Sequence, residues 1–198
     1  MKQTTAIVLT VFLAATFLAG CDRLMRVEQR LERAQAAYDA GRDAAAMSDV
    51  KAVLERDSAN VAGRLLLARL SLRLGDPATA RKELDRAVQA GAAPAAAGEL
   101  DQAILLAQGR YGDALAAATR ATDDRSARRQ VVIVDALMGL GRTDEARKTL
   151  DAALLAAPDD RDLLLADARW SWASGRSREA GEALDRLLAK YPDFARAA

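Results

Sequence analysis

The residue types that most often carry catalysis are scarce in this chain of 198 residues. It contains no histidine and a single cysteine, Cys21. The missing histidine excludes a histidine-based triad, a histidine metal site and an imidazole general base. A lone cysteine excludes an internal disulfide and a cysteine-cluster zinc site. The sequence therefore predicts a protein that is not an enzyme and that uses no metal and no cofactor.

Two pairs of adjacent carboxylates remain as candidates for catalytic or metal chemistry. They are Asp123-Asp124 and Asp159-Asp160, and both lie in turn-like stretches. Because aspartate commonly caps helices, we interpret both pairs as structural. The basic pair Arg128-Arg129 is too small for a nucleic-acid site, and 29 Lys and Arg balance 28 Asp and Glu. We therefore expect no nucleic-acid partner.

The start of the chain has the three parts of a secretory signal. Met1-Lys2 is a short positive segment, an apolar run follows over 6–17, and small residues precede Cys21. The apolar stretch is shorter than the roughly 20 residues that a membrane-spanning helix needs. The pattern predicts that residues 1–20 are a cleaved signal peptide.

The four residues Leu18-Ala19-Gly20-Cys21 resemble the lipobox of bacterial lipoproteins. The resemblance implies that Cys21 is lipidated and that residues 21–26 form a lipidated amino terminus. A structural cysteine after an ordinary signal, or an uncleaved membrane anchor, is the alternative. Asp22 resembles the signal that keeps enterobacterial lipoproteins in the inner membrane. It favours an anchor in that membrane facing the periplasm, with the outer membrane as the alternative.

The remainder of the chain repeats with a period near 34 residues. Glycines recur at intervals of 34, 34, 32 and 34, and an alanine follows each one five residues later. Glycine suits the end of a helix because it adopts the left-handed conformation without steric cost, and alanine allows two helices to pack closely. One such helix pair cannot bury its apolar face alone, but a stack of pairs can. The glycines are Gly41, Gly75, Gly109, Gly141 and Gly175.

This pattern resembles the tetratricopeptide (TPR) repeat. The resemblance implies an all-α fold, a right-handed solenoid of about five helix-turn-helix repeats over 27–194. In the third repeat Asp101 and Gln102 replace apolar or small residues, so we expect its core to depend on Leu100, Ile104 and Leu105. We expect the loosest junction at Thr122–Ser126. The predicted repeats are 27–60, 61–94, 95–126, 127–160 and 161–194, and 195–198 would begin a further helix or a tail.

The TPR resemblance also implies a binding groove lined by the first helix of each repeat. Carrying the family's groove positions onto this sequence predicts a mostly apolar groove with scattered arginines, suited to an extended or helical peptide. Each residue could instead belong to the core or to the solvated surface. The lysine and asparagine clamp for a terminal carboxylate is absent, because the only asparagine, Asn60, lies in a loop. The candidates are Leu31, Gln35, Tyr38, Leu65, Arg69, Leu72, Arg73, Glu99, Ala103, Leu106, Val131, Asp135, Met138, Leu165, Arg169 and Trp172.

Several stretches narrow the resemblance, above all over residues 21–120. The lipobox, Tyr38-Asp39-Ala40-Gly41 and Ala90-Gly91-Ala92-Ala93-Pro94 together resemble the TPR-repeat lipoproteins of exosortase/PEP-CTERM systems. That family implies a membrane-anchored scaffold for protein partners, associated with exopolysaccharide production and protein sorting. The alternatives are a pilotin-like lipoprotein of pilus or secretion assembly at the outer membrane, or a non-catalytic regulator of a glycan-processing enzyme. The sequence leaves the partner and the oligomeric state open.

Overall fold

The computed structural model describes residues 25–120 and 126–192, and within these ranges the chain forms ten α-helices and no strand. Cys21, Asp22 and the predicted signal peptide lie outside the described residues, as do 121–125 of the predicted loose junction. The helices are α1 (Val27–Asp39), α2 (Asp43–Arg56), α3 (Val61–Arg73), α4 (Pro77–Gln89), α5 (Pro94–Ala107), α6 (Tyr111–Arg120), α7 (Ala127–Gly139), α8 (Thr143–Ala156), α9 (Arg161–Ala173) and α10 (Ser177–Lys190).

The helices form five pairs, each joined by a tight turn at one of the periodic glycines. We number the pairs repeats 1 to 5, from α1–α2 to α9–α10. All five glycines have positive φ, between 69° and 76°, as the sequence predicted. At Gly75 the chain reverses through two backbone bonds, Gly75 N–H to the Leu72 carbonyl at 3.0 Å and Asp76 N–H to the Ser71 carbonyl at 2.8 Å. These bonds satisfy carbonyl groups that the end of α3 would otherwise leave without a donor.

Side chains at the start of several helices accept backbone N–H groups. Asn60 Oδ1 accepts from Gly63 N–H at 2.9 Å, and Asp76 Oδ1 accepts from Thr79 N–H at 2.9 Å. Asp160 Oδ1 caps α9 by accepting from the N–H groups of Asp162 and Leu163, both at 3.0 Å. Asp160 thus caps a helix, as aspartate in a turn was expected to do, while Asp123-Asp124 lies outside the described residues.

The core is a series of small layers between helices that are close in the sequence. The alanine five residues after each periodic glycine is buried in all five repeats. Every substantial contact between the described helices joins neighbours along the chain or helices two places apart. The first helices of the repeats, α1, α3, α5, α7 and α9, therefore contact one another in order and form one side of the array.

The third repeat shows how the array accommodates Asp101 in a first helix. Leu100, Ile104 and Leu105 are buried as predicted. The Asp101 carboxylate accepts a hydrogen bond from Arg81 Nη1 on α4, so its partner lies in the preceding repeat. With all ten described helices in one solenoid of helix-turn-helix pairs, the all-α fold predicted from the sequence is confirmed.

Candidate functional site

The side of the array formed by the first helices carries a groove made of three adjoining cavities. We call them the N-terminal compartment (about 480 Å³, between α1 and α3), the central compartment (about 550 Å³, between α1, α3, α5 and α7) and the C-terminal compartment (about 230 Å³, between α7 and α9). Arg69 lines both the N-terminal and the central compartments. Arg128 and Val132 line both the central and the C-terminal ones. The groove is therefore continuous along four repeats and into the fifth.

The N-terminal compartment has an apolar floor and an acidic rim. Leu31 and Leu65 lie at its base, and Leu65 is almost fully buried in the core beneath it. At the rim Gln35 Nε2 donates to Asp39 Oδ1 at 2.8 Å, and Glu32 lies on the same helix. This end of the groove therefore offers apolar contact below and negative charge above.

Apolar and small side chains also form the floor of the central compartment. They include Leu72, Leu100, Ala103 and Val132. Hydrophobic floors with a few polar groups at the edge are typical of peptide and ligand sites. The compartment is the largest of the three, and four first helices of the array contribute to it.

One wall of the central compartment is an arginine that the protein itself holds in place. The Arg73 guanidinium lies over the Tyr38 ring, 3.5 Å from its centroid. Arg73 Nη1 donates to the Tyr38 carbonyl and to Asp43 Oδ1, both at 2.8 Å. Tyr38 and Arg73, both predicted groove residues, are thus joined to each other across repeats 1 and 2.

Two further groove arginines are neutralised by carboxylates on adjacent first helices. Arg128 Nη1 donates to Glu99 Oε2 at 2.7 Å. Arg169 Nη2 lies 3.0 Å from both carboxylate oxygens of Asp135. Burial raises the pKa of the Asp135 carboxyl, and the Arg169 guanidinium opposes that rise. The charges of the C-terminal compartment are therefore satisfied within the protein.

Arg69 differs from these arginines. Its side chain is partly buried on the wall between the N-terminal and central compartments. Within residues 25–120 and 126–192 it has no hydrogen-bond or ion-pair partner, whereas Arg73, Arg128 and Arg169 each have one. Among the groove arginines that the structure describes, Arg69 is thus the one without an acceptor in the protein.

The structure brings most of the predicted groove residues together, but not all of them. Leu106 and Met138 are partly buried and pack against the core clusters beneath α5 and α7. Trp172 is 70% exposed and lines none of the three compartments. Its role as an apolar anchor stays a prediction. The compartments are lined by Leu31, Gln35, Tyr38, Leu65, Arg69, Leu72, Arg73, Glu99, Ala103, Val131, Asp135, Leu165 and Arg169.

Several lining residues were missed by sequence reasoning. The sequence indicates Arg128 only as half of a small basic pair, yet it joins two compartments. Val132 lies four residues later on α7, so the two share a helix face, and that spacing was the available signal. Leu100 and Val132 each follow a predicted groove position by one residue, because the groove takes in a slightly wider face of each first helix than the family positions cover.

The described part of the chain also bears on metal and membrane chemistry. Among its residues, no group of three or more histidine, cysteine, aspartate or glutamate side chains could hold a metal ion. None of the described helices is both long enough and apolar enough to cross a bilayer.

Comparisons with known proteins point to one kind of repeat. Two family models, both described as tetratricopeptide repeat, match residues 31–97 and 105–169, about two thirds of the chain together. A comparison with curated protein sequences gave no match.

Solved structures with a similar fold are also repeat proteins. TTC0263, a thermophilic TPR protein in Thermus thermophilus, is 21% identical with a TM-score of 0.72, and the match covers 87% of this chain and 95% of that one. A tetratricopeptide repeat protein from Parabacteroides merdae is 12% identical with a TM-score of 0.75, covering 96% and 75%. YrrB, described as a TPR protein with an unusual peptide-binding site, is 17% identical with a TM-score of 0.54, covering 87% and 90%. At these identities the likeness establishes the fold.

Proposed function

The chain belongs to the tetratricopeptide repeat family, and we propose that it is a lipid-anchored scaffold of the bacterial cell envelope that holds a protein partner in its groove. Proteins of this family are generally non-catalytic scaffolds, and their fold commonly binds peptides or proteins. The scarcity of catalytic side chains in the sequence agrees with that role.

The observation that carries the binding proposal is the continuity of the groove. Three compartments follow one another along α1, α3, α5, α7 and α9, and shared residues join them; two have apolar floors, and Val131 and Leu165 line the third. Such a site suits an elongated ligand, because side chains placed at intervals along a peptide can occupy successive compartments. A peptide-binding site is also named for YrrB, which shares the fold.

The membrane part of the proposal rests on the sequence around Cys21. The lipobox Leu18-Ala19-Gly20-Cys21 would place acyl chains on that residue, and two chains anchor a protein stably. Helix α1 begins at Val27, so the connecting chain spans at most about 20 Å when fully extended. The groove would then lie close to the bilayer. Asp22 favours the periplasmic face of the inner membrane.

The proposal also names the cellular machinery to which this scaffold belongs. Support comes from the resemblance of residues 21–120 to the TPR lipoproteins of exosortase/PEP-CTERM systems, which points to exopolysaccharide export and protein sorting. A partner recovered from that machinery would support this assignment. A partner from a pilus or secretion system would replace it.

The anchor is tested by Cys21→Ser in the native host. Wild-type protein should incorporate labelled palmitate and sediment with membranes, and the variant should lose the label and move to the soluble fraction. A sucrose gradient of wild-type membranes then distinguishes the inner from the outer membrane. Wild-type protein that takes up no label would refute lipidation, and tight membrane attachment of the Cys21→Ser protein would show that the lipid is not what anchors it.

The groove is tested separately by site-specific photo-crosslinking in cells. A benzoyl-phenylalanine at Ala103, which lines the central compartment, should form adducts with a partner. The same probe at Lys82, exposed on the second helix of repeat 2, serves as the matched control. Equal adducts at both positions, or adducts only at Lys82, would contradict binding in the groove.

A further inference from the structure

The geometry points to a specific chemistry for the occupant of the groove: we propose a protein segment that presents one aspartate or glutamate carboxylate to Arg69, with apolar side chains on either side. This inference rests on the proposed function, since it names the partner of the same groove. It defines a sequence pattern that a partner must contain.

Arg69 has no acceptor among residues 25–120 and 126–192, although it lines the groove. A partly buried guanidinium with no acceptor has lost some of its hydration without a compensating bond, which is unfavourable. The other groove arginines have acceptors inside the protein, namely the Tyr38 carbonyl and Asp43 for Arg73, Glu99 for Arg128 and Asp135 for Arg169. An acceptor on a ligand would give Arg69 the hydrogen-bond partner that the other groove arginines already have.

The position of Arg69 in the groove determines what surrounds a group bound to it. It lies where the N-terminal and central compartments meet, so a group bound to it has an apolar floor on each side. Leu31 and Leu65 form the floor towards α1, and Leu72, Leu100 and Val132 form the floor towards α7. A residue bound to Arg69 should therefore be flanked by apolar residues that occupy the two compartments.

A ligand at Arg69 meets the N–H donors of a single guanidinium, which favours a carboxylate over a phosphate. A carboxylate matches the planar fork of one guanidinium and carries a single charge. A phosphoryl group brings nearly two charges and three acceptor oxygens, and it is usually held by a cluster of arginines. Within the described part of the chain the neighbouring Arg73 and Arg128 already have acceptors, so the single guanidinium of Arg69 suits one carboxylate.

The acidic rim of the N-terminal compartment sets the direction of the segment. Glu32 and Asp39 lie on that side of Arg69, so a second acidic residue placed there would be repelled. Glu99, which lines the central compartment, is instead paired with Arg128. The segment should therefore have a neutral or basic residue towards α1 and its acidic residue at Arg69.

The test begins with a phage library of random dodecapeptides, selected on the detergent-solubilised full-length protein. Enriched peptides should carry one acidic residue between apolar ones. A synthetic peptide of the enriched sequence should bind the wild-type protein about tenfold more weakly when its acidic residue is changed to the amide. The unchanged peptide should lose about the same tenfold in affinity for the Arg69→Gln variant. Combining both changes should cause no further loss, because both remove the same bond. Lys82→Gln, which removes a positive charge outside the groove, should leave the affinity unchanged.

A second variant separates this inference from the proposed function. Ala103→Trp places a large side chain in the central compartment and should abolish binding of every groove ligand, with helicity by circular dichroism unchanged. If the enriched peptides are lost with Ala103→Trp but show no acidic preference, or bind Arg69→Gln as well as wild type, the carboxylate inference is wrong and groove binding stands. If no peptide is enriched, or binding ignores Ala103→Trp, groove binding itself fails and this inference fails with it.

Discussion

The junctions between successive repeats use two kinds of contact at the same position. At the junction of repeats 2 and 3, Arg81 of α4 pairs with Asp101 of α5. At the junction of repeats 4 and 5, Arg147 of α8 pairs with Asp167 of α9 at 2.6 Å. At the other two junctions the corresponding residues are apolar and pack against the core clusters, Met47 and Leu67 at the first and Leu115 and Ile133 at the third.

The difference shows that the repeat geometry accepts either kind of pair. Substitution of one residue, however, should affect stability differently in an apolar pair and in an ion pair. An apolar pair contributes in proportion to the surface that it buries. A buried ion pair roughly balances its Coulomb energy against desolvation, but removal of one partner leaves a charge without compensation. Exposure also separates the two polar junctions, since the side chain of Asp167 is 9% exposed and that of Asp101 is 37% exposed.

The largest effect should come from Asp167→Ala. Asp167 accepts from Arg147 of α8 and from Arg186 of α10, so it joins three helices. Its loss should lower the free energy of unfolding by about 3 kcal/mol, measured by urea denaturation. The matched control is Asp151→Ala, which removes only the exposed partner of Arg147 and should cost less than about 1 kcal/mol. Equal losses from the two variants would mean that burial of the pair is unimportant.

An intermediate effect is expected at the apolar junction of repeats 3 and 4. Ile133→Ala removes a partly buried side chain that packs against the core beneath α7 and should cost about 2 kcal/mol. Leu155→Ala is the control, because Leu155 is 88% exposed and its truncation should change the urea midpoint little. A loss at Ile133 no greater than that at Leu155 would show that this junction does not depend on apolar burial.

The smallest effect is expected at the polar junction of repeats 2 and 3. Asp101→Ala should cost about 0.5 kcal/mol, because the pair with Arg81 is partly solvated. The double variant Arg81→Leu with Asp101→Leu converts this junction to the apolar type. It should match or exceed wild-type stability by the same urea measurement. A double variant less stable than Asp101→Ala would show that the position specifically requires the ion pair.

The sequence predicted those features that require a particular residue type at each position. The turn at Gly75 needs a positive φ, and close helix packing needs alanine, so the period itself revealed the fold. The role of Asp101 could not be predicted in the same way, because its partner Arg81 belongs to the preceding repeat. Within its own repeat Asp101 is only a polar residue at an apolar position.

The sequence predicted which face of the first helices lines the groove, but it did not predict which charged side chains there are paired. Arg69 and Arg73 lie four residues apart, and their spacing makes them equivalent in the sequence. In the structure Arg73 is bound to Asp43 and stacked on Tyr38, while Arg69 has no such partner among the described residues. Which arginine is free depends on side chains of the preceding repeat, and a family position does not contain that information.

The contacts between helices have a mechanical consequence. Because every substantial contact among the described helices joins neighbours or helices two places apart, no brace connects distant repeats. Small rotations between successive repeats can therefore add up along the length of the array. Curvature and groove length change together in such a body. A partner that occupies all three compartments would set the curvature of the whole array, and the stiffness of each junction would determine how easily the groove adjusts to it.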